Sequence, residues 1–102
     1  MTVYAVFEVD IADDPGEVAV GRYETYRDAV PGLIERFGGR YLVRAGRGRA
    51  LEGRETHGRW HLIAFPDVES ADHFWNCPEY AALKPLRAGA ADVRAVLVEP
   101  PA

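Results

Sequence analysis

Histidine and cysteine most often carry nucleophilic, acid–base or metal chemistry, and this chain has three histidines and one cysteine. His57 and His61 are separated by three residues, a spacing that would form a metal-binding pair on a helix. Gly58 and the apolar run after it instead predict an extended chain, in which four residues span roughly 13 Å. Because the two imidazoles could not then share an ion, we expect structural or surface roles for them and no metal site.

His73 and Cys77 lie four residues apart in a predicted helix, so their side chains could meet on one face. Such a pair could form an activated thiolate or half of a metal site. Against this, Pro78 interrupts the helix, and no third residue at a suitable spacing would orient the histidine. His73 is nevertheless the candidate catalytic residue, because it is the histidine predicted on a helix beside the aromatic pair Phe74-Trp75.

Aromatic side chains form the larger set that could line a site. The candidates for contact with a ligand are Tyr26, Tyr41, Trp75 and Tyr80. Aromatic residues on helices that face a sheet usually build the core. They can also form the apolar wall of a small cleft with a few polar tips, which is the usual form of a small-molecule site. The residues alone leave both interpretations open.

The charge distribution limits the possible partners. The net charge is −4, yet the segment between Arg36 and Arg59 carries seven arginines against Glu52 and Glu55, a local charge of +5. An acidic chain binds nucleic acid poorly by bulk electrostatics, so no nucleic-acid partner is expected. The arginines could hold a small carboxylate or phosphate, whose geometry guanidinium groups match. A solvated hairpin face is the alternative.

Length and composition predict a single domain over residues 1–102 with room for one core. The N-terminal apolar run lacks a preceding basic region and is interrupted by Glu8 and Asp10, unlike a signal peptide or a membrane span. A single cysteine excludes an intrachain disulfide and fits a reducing cytoplasm. We expect a cytoplasmic protein with no membrane partner. The sequence has no P-loop, dinucleotide, nucleophile-elbow or zinc signature, and no cofactor is expected.

Hydrophobic periodicity predicts an α+β, ferredoxin-like βαββαβ fold. The strands are expected at residues 3–9, 40–45, 60–65 and 93–99, with a possible short extra strand at 50–52. They would form a four-stranded antiparallel sheet in the order 4-1-3-2, with two helices on one face.

The helix boundaries follow from their capping and breaking residues. The first helix should begin at residues 13–15, kink or restart at Pro31-Gly32 and end at Gly38-Gly39. Asp67 should cap the second helix, which should pause at Pro78 and resume as far as residue 86.

Two helices can cover only one face of such a sheet, yet several predicted strands are apolar on both faces. Leu62 opposes Ile63 in one strand, and Leu97 opposes Val96 and Val98 in another. An exposed apolar sheet face is an association surface. We therefore expect a homodimer joined through the open sheet face.

Two segments of the chain, GGRYLVR and NCPEYAALKPLR, carry a family resemblance. They resemble the DUF1330 family, and the likeness extends from Tyr4 to Leu97. The resemblance implies a ferredoxin-like fold within the dimeric α/β-barrel superfamily, without an established reaction. Members commonly have serine where this chain has Cys77, which implies a conservative exchange.

The same resemblance suggests which charged residues line a site. Arg44, Glu52 and Arg87 fall in the family-like segments YLVRAG, LEG and PLR and are the predicted charged ligand-binding residues. An ion-pair network that supports the dimer is the alternative role for these three residues.

Three functions stay open at this point. The first is binding of a small organic ligand, anionic or aromatic, in the cleft between sheet and helices. The second is a non-catalytic dimerisation or accessory module. The third is a cofactor-independent monooxygenase-like or isomerase-like enzyme of the same superfamily, with which His73, Trp75 and Asn76 invite comparison. Convergence of Arg44, Glu52 and Arg87 on a cavity would favour the first, and their pairing at the surface would favour the second.

Overall fold

The computed structural model describes residues 1–101, which form four strands and four helical segments. The elements are, in chain order, β1 Val3–Ile11, α1 Glu17–Arg36, β2 Arg40–Arg47, β3 Arg59–Phe65, α2 Val68–Asn76, α3 Pro78–Leu83, a 3₁₀ turn Lys84–Arg87 and β4 Ala91–Val98. The predicted βαββαβ order is confirmed, with the second helix divided into α2, α3 and the 3₁₀ turn. No helix within residues 1–101 is long and apolar enough to cross a membrane.

The strands form one antiparallel sheet in the order β2-β3-β1-β4, as predicted. Phe7 of β1 pairs with His61 of β3, whereas the adjacent Val6 pairs with Leu62 on one side and Val96 on the other. Successive side chains of a strand point to opposite faces. Phe7 and His61 therefore face the helices, while Val6, Leu62 and Val96 lie on the open face.

α1 packs one side on the sheet, as its periodicity predicted. Its buried side chains are those of Tyr26, Val30, Leu33 and Ile34. Of the predicted kink or restart at Pro31-Gly32, the restart is wrong, because α1 continues through both residues, and the kink stays a prediction. Proline removes one backbone hydrogen bond there, but buried side chains on both sides of it hold the helix against the sheet. α1 begins at Glu17, after Gly16 at a φ of +85°, and thus slightly later than predicted.

Gly38 and Gly39 end α1, as predicted. Gly38 has a φ of +84°, its N–H donates to the carbonyl of Glu35 at 3.0 Å, and the N–H of Gly39 donates to the carbonyl of Ile34 at 2.9 Å. This is a Schellman motif, which favours glycine at the left-handed position. A Cβ atom on Gly39 would lie 2.7 Å from Phe65 Cε1, so glycine also lets β2 begin close to the core.

The connection from β2 to β3, residues 48–58, contains no strand, so the predicted short strand at 50–52 is wrong. The Glu55 carboxylate accepts hydrogen bonds from the N–H groups of Ala50 and Thr56 at 3.2 and 3.1 Å. These bonds lower the pKa of Glu55. Because a side chain satisfies these backbone donors, the segment needs no strand partner, and Gly53 bends it at a φ of +86°.

The interruption between α2 and α3 is built by two capping side chains. Asp67 Oδ1 accepts a hydrogen bond from the N–H of Ser70 at 2.7 Å and caps α2, as predicted. Cys77 Sγ accepts one from the N–H of Tyr80 at 3.4 Å, and Pro78 is the first residue of α3. Serine or aspartate normally occupies such an N-cap position, so Cys77 has a structural role at this helix start.

Candidate functional site

A row of four aromatic side chains divides the space between the helices and the sheet. The ring centroids of Phe7 and Trp75 are 6.1 Å apart, those of Trp75 and Tyr80 5.3 Å, and those of Tyr80 and Tyr26 6.2 Å. We call these four side chains the aromatic wall. Tyr26 lines one cavity, Trp75 lines another, and Phe7 lines both.

The first cavity, the α1 cleft, lies between α1 and strands β1, β2 and β3. Its floor consists of the buried side chains of Phe7, Val9, Val30, Ile34 and Ile63. Its mouth is polar and consists of Tyr23, Arg27, Tyr41, Arg44 and His61. The buried side chain of Tyr26 also lines the cleft. The enclosed volume is about 40 Å³, and a cavity needs roughly 10–15 Å³ to hold one water. The interior therefore accommodates about three non-hydrogen atoms, and the rest of a ligand must lie at the mouth.

Arginines set the charge at the mouth, since none of the residues lining the α1 cleft is acidic. Burial raises the pKa of Tyr23 and of Tyr41, and nearby guanidinium groups act against that rise. The arginines that act on these two phenols are Arg27, Arg44, Arg59 and Arg87. Arg27 also pairs with Asp28 at 3.4 Å, but both side chains are exposed, and such pairs are weak. The mouth is therefore cationic.

Tyr26, Tyr80 and Arg87 form a hydrogen-bonded group behind the cleft. The two tyrosine hydroxyls are 2.9 Å apart, and Arg87 Nη1 donates to both at 3.1 Å. Burial is the main cause that raises the pKa of Tyr80, and the adjacent Tyr26 adds to it. The Tyr80 hydroxyl thus stays neutral, and Arg87 makes no ion pair within the described part of the chain. Its positive charge is held in place without being neutralised.

His61 lies at the mouth beside Tyr41 and Arg44. Its Nδ1 accepts a hydrogen bond from the N–H of Ala45 at 3.1 Å, and its ring is edge-on to Tyr41 at 5.8 Å between centroids. Burial lowers the pKa of His61, and the Arg44 charge lowers it further. The imidazole is therefore neutral near pH 7, with its proton on Nε2.

Sequence reasoning placed His61 among structural or surface residues, whereas the structure places it in the cleft lining. A signal for this position was present in the sequence. His61 alternates with Ile63 and Phe65 on one face of a strand, and that face is the one the helices cover.

The structure brings five of the predicted ligand-binding residues into one region. Tyr26, Tyr41 and Arg44 line the α1 cleft, while Tyr80 and Arg87 support Tyr26 from behind. The cleft is thus built from the middle of α1, from β2 and β3, and from the segment that follows Cys77.

Trp75, Glu52 and His73 lie elsewhere. Trp75 lines the second cavity, and Glu52 is exposed in the 48–58 loop. Arg44, Glu52 and Arg87 therefore neither converge on one cavity nor pair with one another. His73 is exposed on α2, and no side chain within residues 1–101 forms a hydrogen bond or ion pair with it. Its catalytic role stays a prediction without a structural partner.

The second cavity, the α2 groove, lies between α2 and the strands β1 and β4. Its lining consists of Ala5, Phe7, Phe65, Ala71, Asp72, Phe74, Trp75, Ala95, Val96 and Leu97. Its volume is about 260 Å³, and Asp72 is its one charged lining residue. Lys84 Nζ lies 4.3 Å from the centroid of the Trp75 ring, a cation–π contact. The groove is therefore wider and less polar than the α1 cleft.

Metal ligation has no support in the described part of the chain. Residues 1–101 contain no group of three histidine, cysteine, aspartate or glutamate side chains arranged to hold an ion.

Solved structures similar to this chain share its fold at low sequence identity. A protein of unknown function from Rhodopseudomonas palustris has 20% identity and a TM-score of 0.70, with 99% of this chain and 83% of that chain covered. A dimeric ferredoxin-like protein of unknown function from Jannaschia sp. CCS1 has 18% identity and a TM-score of 0.66, with 98% and 100% covered. SnoaB, a cofactor-independent oxygenase from Streptomyces nogalater, has 11% identity and a TM-score of 0.61, with 99% and 94% covered.

At such identities the comparison concerns the fold alone, and the predicted ferredoxin-like fold is confirmed. A search of curated proteins gives no match. The family described as domain of unknown function DUF1330 matches residues 2–101. This chain therefore belongs to the DUF1330 family.

Proposed function

We propose that this protein binds a small organic anion in the α1 cleft. The observation that carries the proposal is the composition of the cleft, which joins an apolar floor to a mouth with two arginines and no carboxylate. A carboxylate at the mouth would pair with Arg44, and a short apolar tail would occupy the floor. Guanidinium groups match carboxylates in geometry and charge, and the enclosed space suits a tail of about three carbon atoms.

Four further predicted residues act through the shape and charge of the cleft. Tyr26 and Tyr41 form its aromatic sides. Tyr80 and Arg87 hold the Tyr26 hydroxyl, and the Arg87 charge adds to the attraction for an anion. This arrangement favours ligand binding over the alternative of a purely structural module.

Isothermal titration calorimetry with butyrate and butyramide tests the proposal. The two compounds have nearly the same shape, but only butyrate carries a negative charge. We expect butyrate to bind and butyramide to bind at least about tenfold more weakly, a difference of about 1.4 kcal/mol. Equal binding of the two compounds, or no binding of butyrate, would contradict the proposal.

The Arg44→Gln variant locates the binding site. This variant should bind butyrate about tenfold more weakly than the wild type, because it lacks one charge-assisted hydrogen bond to the carboxylate. Arg22→Gln is the matched control, since Arg22 is exposed on α1 and lines neither the α1 cleft nor the α2 groove. If both variants bind butyrate like the wild type, the anion lies elsewhere.

We further propose that two copies associate through the open face of the sheet. Apolar side chains on this face are exposed in one chain, among them Tyr4 at 42%, Val96 at 44% and Val98 at 49%. An apolar face of this kind is an association surface. Several similar structures, including those from Jannaschia sp. CCS1, Bacteroides fragilis and Thermobifida fusca, are described as dimeric, which supports a second copy as the occupant.

Light scattering at micromolar concentration tests the dimer. The wild type should have twice the chain mass, and Tyr4→Lys should be a folded monomer because its new charge would be buried between two sheets. Val18→Lys is the control, since Val18 is 69% exposed on α1, away from the open face. A monomeric wild type would contradict the proposal. A dimer that binds no anion would favour the accessory module.

A further inference from the structure

The backbone of β2 is irregular where it passes His61. Ala45 has a φ of +55°, the one positive φ among the non-glycine residues of the described chain. The pairing of β2 with β3 shifts register between Val43 and Gly46. A regular β-strand does not adopt such a φ, so the backbone of β2 changes direction at Ala45. In this conformation the Ala45 N–H donates a hydrogen bond to Nδ1 of His61.

This backbone bond determines what the other ring nitrogen can do. A nitrogen that accepts a hydrogen bond carries no proton, so the proton of the neutral imidazole is on Nε2. No described side chain or backbone group accepts a hydrogen bond from Nε2, and His61 lines the α1 cleft. The cleft therefore contains a free, neutral donor beside the Arg44 guanidinium.

We propose that His61 is a specificity-determining residue of the α1 cleft, whose Nε2–H donates to an oxygen of the bound anion while the Ala45 peptide fixes its tautomer. This inference rests on the proposed function. It narrows the ligand class to short carboxylic acids or related oxo acids, in which two acceptor oxygens meet Arg44 and His61. A ligand that presents only donors, such as an amine, would face two donors and no acceptor.

Two substitutions separate the roles of the two nitrogens. In His61→Asn, the side-chain oxygen can replace Nδ1 as the acceptor for Ala45, but the donor at the Nε2 position is lost. In His61→Gln, the amide NH₂ reaches the Nε2 position, but the acceptor for Ala45 is lost. Each variant therefore keeps one hydrogen bond and removes the other.

Calorimetry with butyrate tests the hydrogen bond from Nε2 to the ligand, and amide hydrogen exchange at Ala45 tests the hydrogen bond that Nδ1 accepts. The two variants should therefore differ in both measurements. We expect His61→Asn to protect the Ala45 amide like the wild type and to bind butyrate about tenfold more weakly. We expect His61→Gln to bind butyrate within about threefold of the wild type and to lose protection at Ala45. We expect that neither the wild type nor either of the two variants binds butylamine.

If the wild type and His61→Asn bind butyrate with the same affinity, the proposed role of His61 is overturned, but the proposed anion site is not. Equal loss of affinity in both variants would also overturn this role, because His61 would then act only by holding β2. Absence of wild-type butyrate binding would overturn both proposals. Nitrogen-15 spectra of the wild-type imidazole add a test that needs no variant, and a proton on Nδ1 instead of Nε2 would contradict the inference.

Discussion

The two cavities beside the aromatic wall share Phe7 as a lining residue, yet they differ in the chemistry that they offer. The α2 groove encloses about 260 Å³ and has Asp72 as its one charged lining residue. The α1 cleft encloses about 40 Å³ and has arginines, tyrosine hydroxyls and an imidazole at its mouth. The arginines of the smaller cavity would attract an anion, whereas the Asp72 carboxylate of the larger one would repel it. The proposed anion site in the α1 cleft therefore rests on charge and free hydrogen-bond donors and not on volume.

The largest expected effect concerns the wall that separates the two cavities. Tyr80 is fully buried, and Tyr80→Ala should lower the free energy of unfolding by about 3–5 kcal/mol, as large-to-small aromatic substitutions in cores do. Urea denaturation measures this loss. Tyr80→Phe keeps the ring and should cost only about 1–3 kcal/mol, because it leaves Arg87 with one acceptor fewer. Similar midpoints for Tyr80→Ala and the wild type would mean that the wall does not hold the two cavities apart.

Arg87 tests whether charge behind the cleft contributes to the difference between the cavities. Arg87→Leu removes two hydrogen bonds but leaves the hydroxyls of Tyr26 and Tyr80 paired with each other. We expect a loss of about 1.5–3 kcal/mol in the free energy of unfolding and a few-fold weaker affinity for butyrate. Arg22→Leu is the control for both measurements. Unchanged butyrate affinity in Arg87→Leu would show that the electrostatic attraction comes from the mouth alone.

The neutral state of His61 predicts that the stability of the protein depends on pH. Burial and then Arg44 lower the pKa of His61 from its ordinary value of 6.5. The unfolded chain therefore takes up a proton at higher pH than the folded chain. The stability from His61 is fully present above pH 6.5 and is lost as the pH falls through the folded pKa.

His61→Gln should remove this contribution and flatten the plot of unfolding free energy against pH where the pH falls below the ordinary histidine pKa of 6.5. His73→Gln is the matched control, because it replaces an exposed histidine outside both cavities. Urea titrations at several pH values measure both slopes. If the unfolding free energy of His61→Gln depends on pH as steeply as that of the wild type, a proton-linked role of His61 in folding is contradicted.

The smallest effect on butyrate affinity is expected from a substitution in the α2 groove. Asp72→Asn removes the charge of the α2 groove and should change butyrate affinity by less than about twofold, since Asp72 lines only the other cavity. Calorimetry alongside Arg44→Gln gives the comparison directly. A larger effect of Asp72→Asn than of Arg44→Gln would assign the anion to the groove.

Most of the fold could be predicted because its determinants are local. Alternating apolar residues marked the strands, Gly38-Gly39 marked the end of α1, and Asp67 and Pro78 marked the interrupted second helix. Errors arose where tertiary contacts outweigh local preference. α1 continues through Pro31 because buried neighbours hold it, and the 48–58 loop has no strand because Glu55 satisfies its backbone donors.

The site was predictable in its residue types and less so in its geometry. Tyr26, Tyr41 and Arg44 line one cleft. A regular period in β2 would place Tyr41 and Arg44 on opposite faces of the sheet, and the register shifts between Tyr41 and Gly46 interrupt that period. Glu52 lies in a glycine-rich loop without any period that could orient it. His61 gained its position from its strand face, but its free Nε2 depends on the irregular backbone at Ala45, and no local pattern in the sequence predicts that bend.

A titration of nitrogen-15-labelled protein with butyrate, followed by amide chemical shifts, tests the central claim most directly. The account predicts that the largest shifts occur at Arg44, Ala45 and His61 and along the middle of α1. The indole of Trp75 and the amides of 95–97 in β4 should change little. Shifts that cluster at Trp75 and β4, or that are absent at saturating butyrate, would contradict an anion site in the α1 cleft.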